Sequence, residues 1–174
     1  MESYEIFKQA DELVKQCKTR SAEHIAEELG IWLYREESLG ELLGMYTFRW
    51  NHRLIFINKS LQGNLRNMVV AHEIGHDQRH RDKAKVGKAF KELTLFDAKD
   101  TTEYEANAFA SHILLPSDEV YSLAKDGLDI FRMAQVLGVD ENLLLIKINE
   151  MNRLGYDIKS PMEHDSRFFR KIKR

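Results

Sequence analysis

A chain of 174 residues, 43% hydrophobic and 10% aromatic, is sized for one globular domain with a substantial core. Its formal charge of −2 gives no global attraction to nucleic acid or to a membrane surface. The single cysteine, Cys17, excludes an internal disulfide and fits a reducing cytosol. The start, Met1 to Glu5, is acidic and lacks a signal-peptide pattern, and no run of about 18 apolar residues exists to span a bilayer. A cytoplasmic protein is expected.

Residues 3 to 18 predict an amphipathic helix, with Ile6, Phe7, Ala10, Leu13, Val14 and Cys17 on one stripe. Ser21 caps a short second helix that Gly30 ends, with His24 on its surface. The period then changes. Ile31 to Tyr34 reads as a strand. Tyr46, Phe48 and Trp50 alternate with Met45, Thr47 and Arg49 as a half-buried strand does. Asn51 and His52 form a tight turn into a third strand, Arg53 to Asn58. The three strands predict a largely antiparallel sheet. A sheet edge beside the next helix offers main-chain groups that can pair with an extended peptide.

That helix begins between Ser60 and Asn64, both able to cap it. It carries His72-Glu73-Ile74-Gly75-His76, an H-E-x-x-H pattern. Histidines four apart project from nearly the same helical face, where two imidazoles can grip one divalent cation, most often zinc. Glu73 lies close enough to take a proton from water at that cation. A shuffled chain of this composition would give about 0.03 such matches, so chance is a poor explanation. Leu65, Met68 and Val69 lead into His72 and His76 at helical spacing, so the histidines continue an inward-facing apolar stripe. Buried imidazoles need polar partners, and a metal is one. Gly75 costs the helix about 1 kcal/mol relative to Ala, which suggests that another segment passes close beside it. His80 extends the same face and is read as an exposed residue near the helix C-terminus, with a substrate contact or a fourth metal ligand, which would make the site structural, as the alternatives.

Residues 81 to 101 are charged, with Val86, Phe90, Leu93, Leu95 and Phe96 interspersed; they read as a helix over 83–92 and then a loop. Arg79, Arg81, Lys83 and Lys85 read as a solvated face. A further helix follows, on which Glu103, Ala106, Asn107, Ala110, Ile113 and Leu114 share one stripe. Glu105 lies about 200° around from Glu103. A catalytic zinc wants a third protein ligand and leaves its fourth position to water. Glu103 is the candidate for that ligand, with Glu105 as the fallback, and Asn107 is placed one turn on to hold a ligating imidazole N–H. Tyr104, His80 and His112 are unranked candidates for steadying an oxyanion.

Pro116 then stops the chain, and Ser117 caps a short helix with Asp118 and Glu119 in its first turn. Asp129 starts a helix carrying Ile130, Met133, Ala134 and Leu137, and Gly138-Val139 makes a turn. Asp140 caps a second helix through Leu154, ended by Gly155. Helix, glycine turn, helix is also the outline of a DNA-reading unit. Its second helix sets Lys147 and Arg153 against Glu141 and Glu150, a balance that argues against direct DNA binding and for packing or substrate docking. The tail from 159 to 174 reads as a basic, solvated arm.

His72 to His76, followed by Glu103-x-x-Ala106-Asn107-x-Phe109-Ala110-x-x-x-Leu114-Leu115-Pro116, resembles the ImmA/IrrE family of metallopeptidases. Ala71, the strand 54–58 and the segment Ile25 to Ile31 fit the same layout. The resemblance implies a gluzincin-like zinc protease, usually coded near phage or mobile-element regulators. Members are associated with cleavage of a helix-turn-helix repressor that derepresses genes under stress. The family pattern falls on His72, His76 and Glu103 as zinc ligands and on Glu73 as the catalytic residue.

The fold expected is therefore α+β: a small three-stranded, mostly antiparallel sheet on a helical zincin-like core, with a C-terminal helix-turn-helix-like pair. Residues 1–127 would form the peptidase domain, 128–158 the helix pair packed on it, and 159–174 the tail. The function expected is zinc-dependent hydrolysis of a protein substrate, a helix-turn-helix repressor. The alternative is a non-catalytic regulatory module with a structural metal site that binds a repressor or DNA.

Overall fold

A computed structural model describes residues 2–87, 89–92, 96 and 100–159. Helix α1, Glu2–Cys17, buries Ile6, Ala10 and Leu13 along the predicted stripe. Helix α2, Ala22–Glu28, is capped by Ser21, whose side chain accepts from the His24 backbone, and Gly30 leaves it with φ +67°. These two helices lead into a sheet of four strands: β1 Trp32–Glu36, β2 Gly44–Arg49, β3 His52–Asn58 and β4 Phe90–Glu92.

The sheet differs from expectation in two ways. Its order is β1-β3-β2-β4, and β1 runs parallel to β3, with Tyr34 opposite Phe56. The other two pairings are antiparallel. Of the helix read over 83–92, only 83–85 are helical, as the end of the long helix that follows the sheet, and 90–92 form β4 instead. Its three residues are too few to show a period, and their charged neighbours mimic a helical face. Leu93 and Leu95 lie outside the described residues. The β2–β3 turn falls one residue earlier than predicted. Arg49 pairs with His52, so Trp50 and Asn51 make the turn, at φ +49° and +63°. Two consecutive positive φ values match the right-handed twist of the flanking strands.

Helix α3, Gly63–Lys85, crosses the inner face of this sheet. Its N-cap is Gln62, without a side-chain bond, rather than Ser60 or Asn64. Every residue from Met68 to Asp77 is buried, which a helix does only when neighbours surround it. On one side lie β2 and β3. On the other lies α4, Thr101–Leu114, whose N-cap Asp100 accepts from the Glu103 backbone N–H at 3.0 Å. Asp77 ties helix to sheet: its fully buried carboxylate accepts from Tyr46 Oη at 2.8 Å, Arg81 Nη2 at 2.7 Å and Arg53 Nη1 at 3.3 Å.

The C-terminal third adds α5 Ser117–Lys125, α6 Ile130–Leu137 and α7 Glu141–Arg153. Pro116, not Ser117, takes the cap position of α5; Asp129 and Asp140 cap α6 and α7 as predicted. Gly138 sits at φ +65° between them, with Asn64 Nδ2 only 2.4 Å from where a Cβ would lie. Helix α7 packs on α4 and buries Leu143 to Ile148, Glu150 and Met151. Lys147 is therefore part of the interior and not of a DNA-facing surface. Its Nζ lies 2.9 Å from His112 Nδ1, and burial, helped by the Arg20 cation, pushes its pKa down to about 7. The Tyr104 hydroxyl donates to Glu150 at 2.5 Å and accepts from Asn149 at 2.8 Å. The expected tail beyond Lys159 lies outside the described residues. No helix among the described residues is long and apolar enough to cross a membrane.

Candidate metal centre

Three side chains from two helices converge. His72 and His76 come from consecutive turns of α3, and Glu103 comes from the first turn of α4. Their ligating atoms form a triangle: 3.0 Å between the two Nε2 atoms, 3.4 Å from His72 Nε2 to Glu103 Oε2, and 3.5 Å from His76 Nε2 to the same oxygen. No other group of three His, Cys, Asp or Glu among the described residues comes together this way. A tetrahedral zinc with bonds of about 2.0–2.1 Å spaces its ligand atoms about 3.3 Å apart, so the donor set fits a zinc ion in both chemistry and spacing.

The tautomer of His72 fits as well. Asn107 Oδ1, an acceptor, lies 2.7 Å from His72 Nδ1, so that nitrogen carries the proton and Nε2 keeps its lone pair. Both imidazoles are 1% exposed, and burial, with the neighbouring imidazoles adding to it, pulls the His76 pKa down to about 4. Neutral imidazole is the form that binds metal. Burial opposes ionisation of Glu103, but its contacts with His72 and His76 outweigh it and hold the carboxyl well below the usual carboxylate range.

The close approach of α4 to α3 is made at Gly75. A Cβ there would lie 2.6 Å from the Ala106 carbonyl oxygen and 2.8 Å from Ala106 Cα. Gly44 of β2 plays the matching part for Glu73, since a Cβ there would meet Glu73 Oε1 at 2.6 Å and Val69 Cγ1 at 2.7 Å. Glu73 is thus fully buried between the sheet and the helix axis, one residue from His72. Phe90 of β4 stacks on His76 at 4.3 Å between ring centres, and Phe96 stands edge-on to His72 at 6.5 Å. Neither ring was marked by sequence reasoning as part of the site; the segment's charged composition hid them.

The fallback residue lies elsewhere: Glu105 Oε2 is 3.4 Å from Arg79 Nε and 3.4 Å from His80 Nε2. His80 is not exposed as expected but 4% exposed, because α4 covers this end of α3. Tyr104 and His112 have their polar atoms engaged with α7, so neither is placed to steady an oxyanion at the triangle.

Residues 26–149 match the model of a peptidase family described as the IrrE N-terminal-like domain. The chain belongs to this family. All of the triangle, Glu73 and Asn107 fall within the IrrE N-terminal-like match. A relative from Bacillus phage phi105, named as an uncharacterized immunity region protein 2, is 32% identical over 136 residues, covering 78% of this chain and 84% of its own. No solved structure gives a significant match.

Proposed function

We propose that the protein is a zinc-dependent endopeptidase that cleaves a helix-turn-helix transcriptional repressor and so derepresses phage, mobile-element or stress genes. The observation that carries the reading is the triangle of His72, His76 and Glu103 with the Glu73 carboxylate one residue away. Zinc held there would supply Lewis acidity, making a water acidic and polarising the scissile carbonyl. Glu73 would serve as the base that holds the proton given up by the attacking water and would return it to the leaving amine. Asn107 keeps the His72 ring turned with its lone pair inward.

The edge of β4 supports a mode of substrate binding. Among the described residues β4 pairs with β2 alone, and its Phe90 lies against His76. An extended peptide added along this edge would run past the triangle with its main chain hydrogen-bonded. The phage immunity-region relative supports a repressor as the substrate, and the burial of Lys147 and Glu150 in α7 keeps direct DNA contact out of the reading.

The experiment is incubation of the purified chain with a co-encoded repressor. Cleavage that a chelator stops and added zinc restores is the expected result. A repressor that stays intact at equimolar zinc-loaded protein, or is cut equally well with chelator present, contradicts the proposal.

A further inference from the structure

We infer that Tyr46 is a positioning residue for Glu73: its bond to Asp77 sets the register of β2 along α3 and so keeps Gly44 against the Glu73 carboxylate. The inference rests on the metallopeptidase reading above. Residues two apart on a strand share a face and lie about 6.7 Å apart, and residues four apart on a helix share a face about 6 Å apart. The two spacings nearly coincide, so Gly44 and Tyr46 of β2 can lie opposite Glu73 and Asp77 of α3. Both meetings occur. A Cβ on Gly44 would lie 2.6 Å from Glu73 Oε1, and Tyr46 Oη donates to Asp77 Oδ1 at 2.8 Å. Further along both elements, Lys85 Nζ stands 5.9 Å from the Phe48 ring centre.

A glycine leaves room but grips nothing, so the fit at Gly44 does not hold its own register. Tyr46 supplies the grip. Its side chain and the Asp77 carboxylate are fully buried. Asp77 is fixed from other sides as well: Arg81 Nη2 and Gln78 Nε2 each donate to Oδ2 at 2.7 Å, and Arg53 Nη1 at 3.3 Å. The acceptor is thus anchored independently of β2, and the strand is tied to it through one hydroxyl. Slid along by two residues, β2 would bring Tyr46 itself against Glu73, and its ring would displace the carboxylate.

The hydroxyl and the ring of Tyr46 have separable tasks. The hydroxyl bonds Asp77. The ring lies 6.4 Å from the ring of Phe90, which stacks in turn on His76. A phenylalanine at this position keeps the packing behind His76 and loses only the tie between strand and helix. The carboxylate of Glu73 then loses a fixed wall while the three ligands keep their surroundings.

Cleavage of a co-encoded repressor by zinc-loaded Tyr46→Phe should show kcat lowered about ten- to hundredfold, the scale of a small misplacement of a reacting group, with KM and zinc affinity unchanged. A tyrosine that served stability alone would lower Tm and leave the kcat of the folded chain intact. A second readout needs no metal. In denaturant unfolding of the zinc-free chain, Gly44→Ala and Tyr46→Phe should each lower the midpoint. The double variant should lose less than their sum, because an untied β2 can slide away from the added methyl. Should Tyr46→Phe fail to fold, Gly44→Ala carries the kinetic test, since its methyl disturbs the same contact: kcat falls while KM and zinc affinity hold. Wild-type kcat in the variant measured, a loss carried by KM or by zinc affinity, or additive midpoint losses overturns the inference and leaves the metallopeptidase reading standing. A wild-type chain that cuts no repressor with zinc bound overturns both.

Discussion

Glu73→Gln should abolish peptide hydrolysis and leave zinc bound. The amide has nearly the volume of the carboxylate, so the tight contact with Gly44 survives, and residue 73 is not one of the three grouped ligating atoms. What is lost is the base. General base catalysis by a positioned side chain is worth about 10²–10⁴-fold, and here the same group also returns the proton to the amine, so the upper part of that range is expected. The pair of measurements is kcat/KM for repressor cleavage and zinc per chain. Activity within about tenfold of wild type, with zinc retained, would remove Glu73 from the chemistry.

Gly75→Ala should weaken the site without touching a ligand. On an isolated helix the change would stabilise by about 1 kcal/mol. Here the added methyl meets the Ala106 backbone at 2.6–3.1 Å, and backbone cannot swing aside as a flexible side chain can. Overpacking of this kind costs about 1–3 kcal/mol. The larger effect is geometric, because Ala106 is one turn from Glu103, and pushing α4 outward carries that carboxylate away from both imidazoles. Zinc affinity should fall by at least about tenfold, on the scale of lost support around a metal, with a lower Tm. Gly75→Ala with unchanged affinity and a raised Tm would show that the helices part without cost.

Gly75 also shows how much of the site could be read from the chain alone. Its cost to the helix implied a close neighbour, and the neighbour is α4. The spacing of His72 and His76 with Met68 and Val69 placed the imidazoles inside, and the stripe on α4 separated Glu103 from Glu105. All of these are local, periodic signals. The caps at Ser21, Asp100, Asp129 and Asp140 are local too, although only three of them entered the reading.

What the chain hid was set by contacts distant in sequence. The β1–β3 pairing is parallel, and nothing in Trp32 to Glu36 says which strand lies beside it. Phe90–Glu92 is a strand only because β2 has an open edge for it. His80 sits in a polar run, Gln78 to Lys85, whose composition reads as solvent-facing; α4 buries it. Lys147 and Glu150 look like surface charges on α7 until the helix is laid against α4, where they pair with His112, Tyr104 and Arg153.

The account stands or falls on where one ion sits. A crystal of the zinc-loaded chain, with diffraction recorded on both sides of the zinc absorption edge, places it directly. The account predicts a single anomalous peak about 2.0–2.1 Å from His72 Nε2, His76 Nε2 and a Glu103 carboxylate oxygen. A peak held by Glu105 instead, or the absence of any peak between His72 and His76, would contradict it.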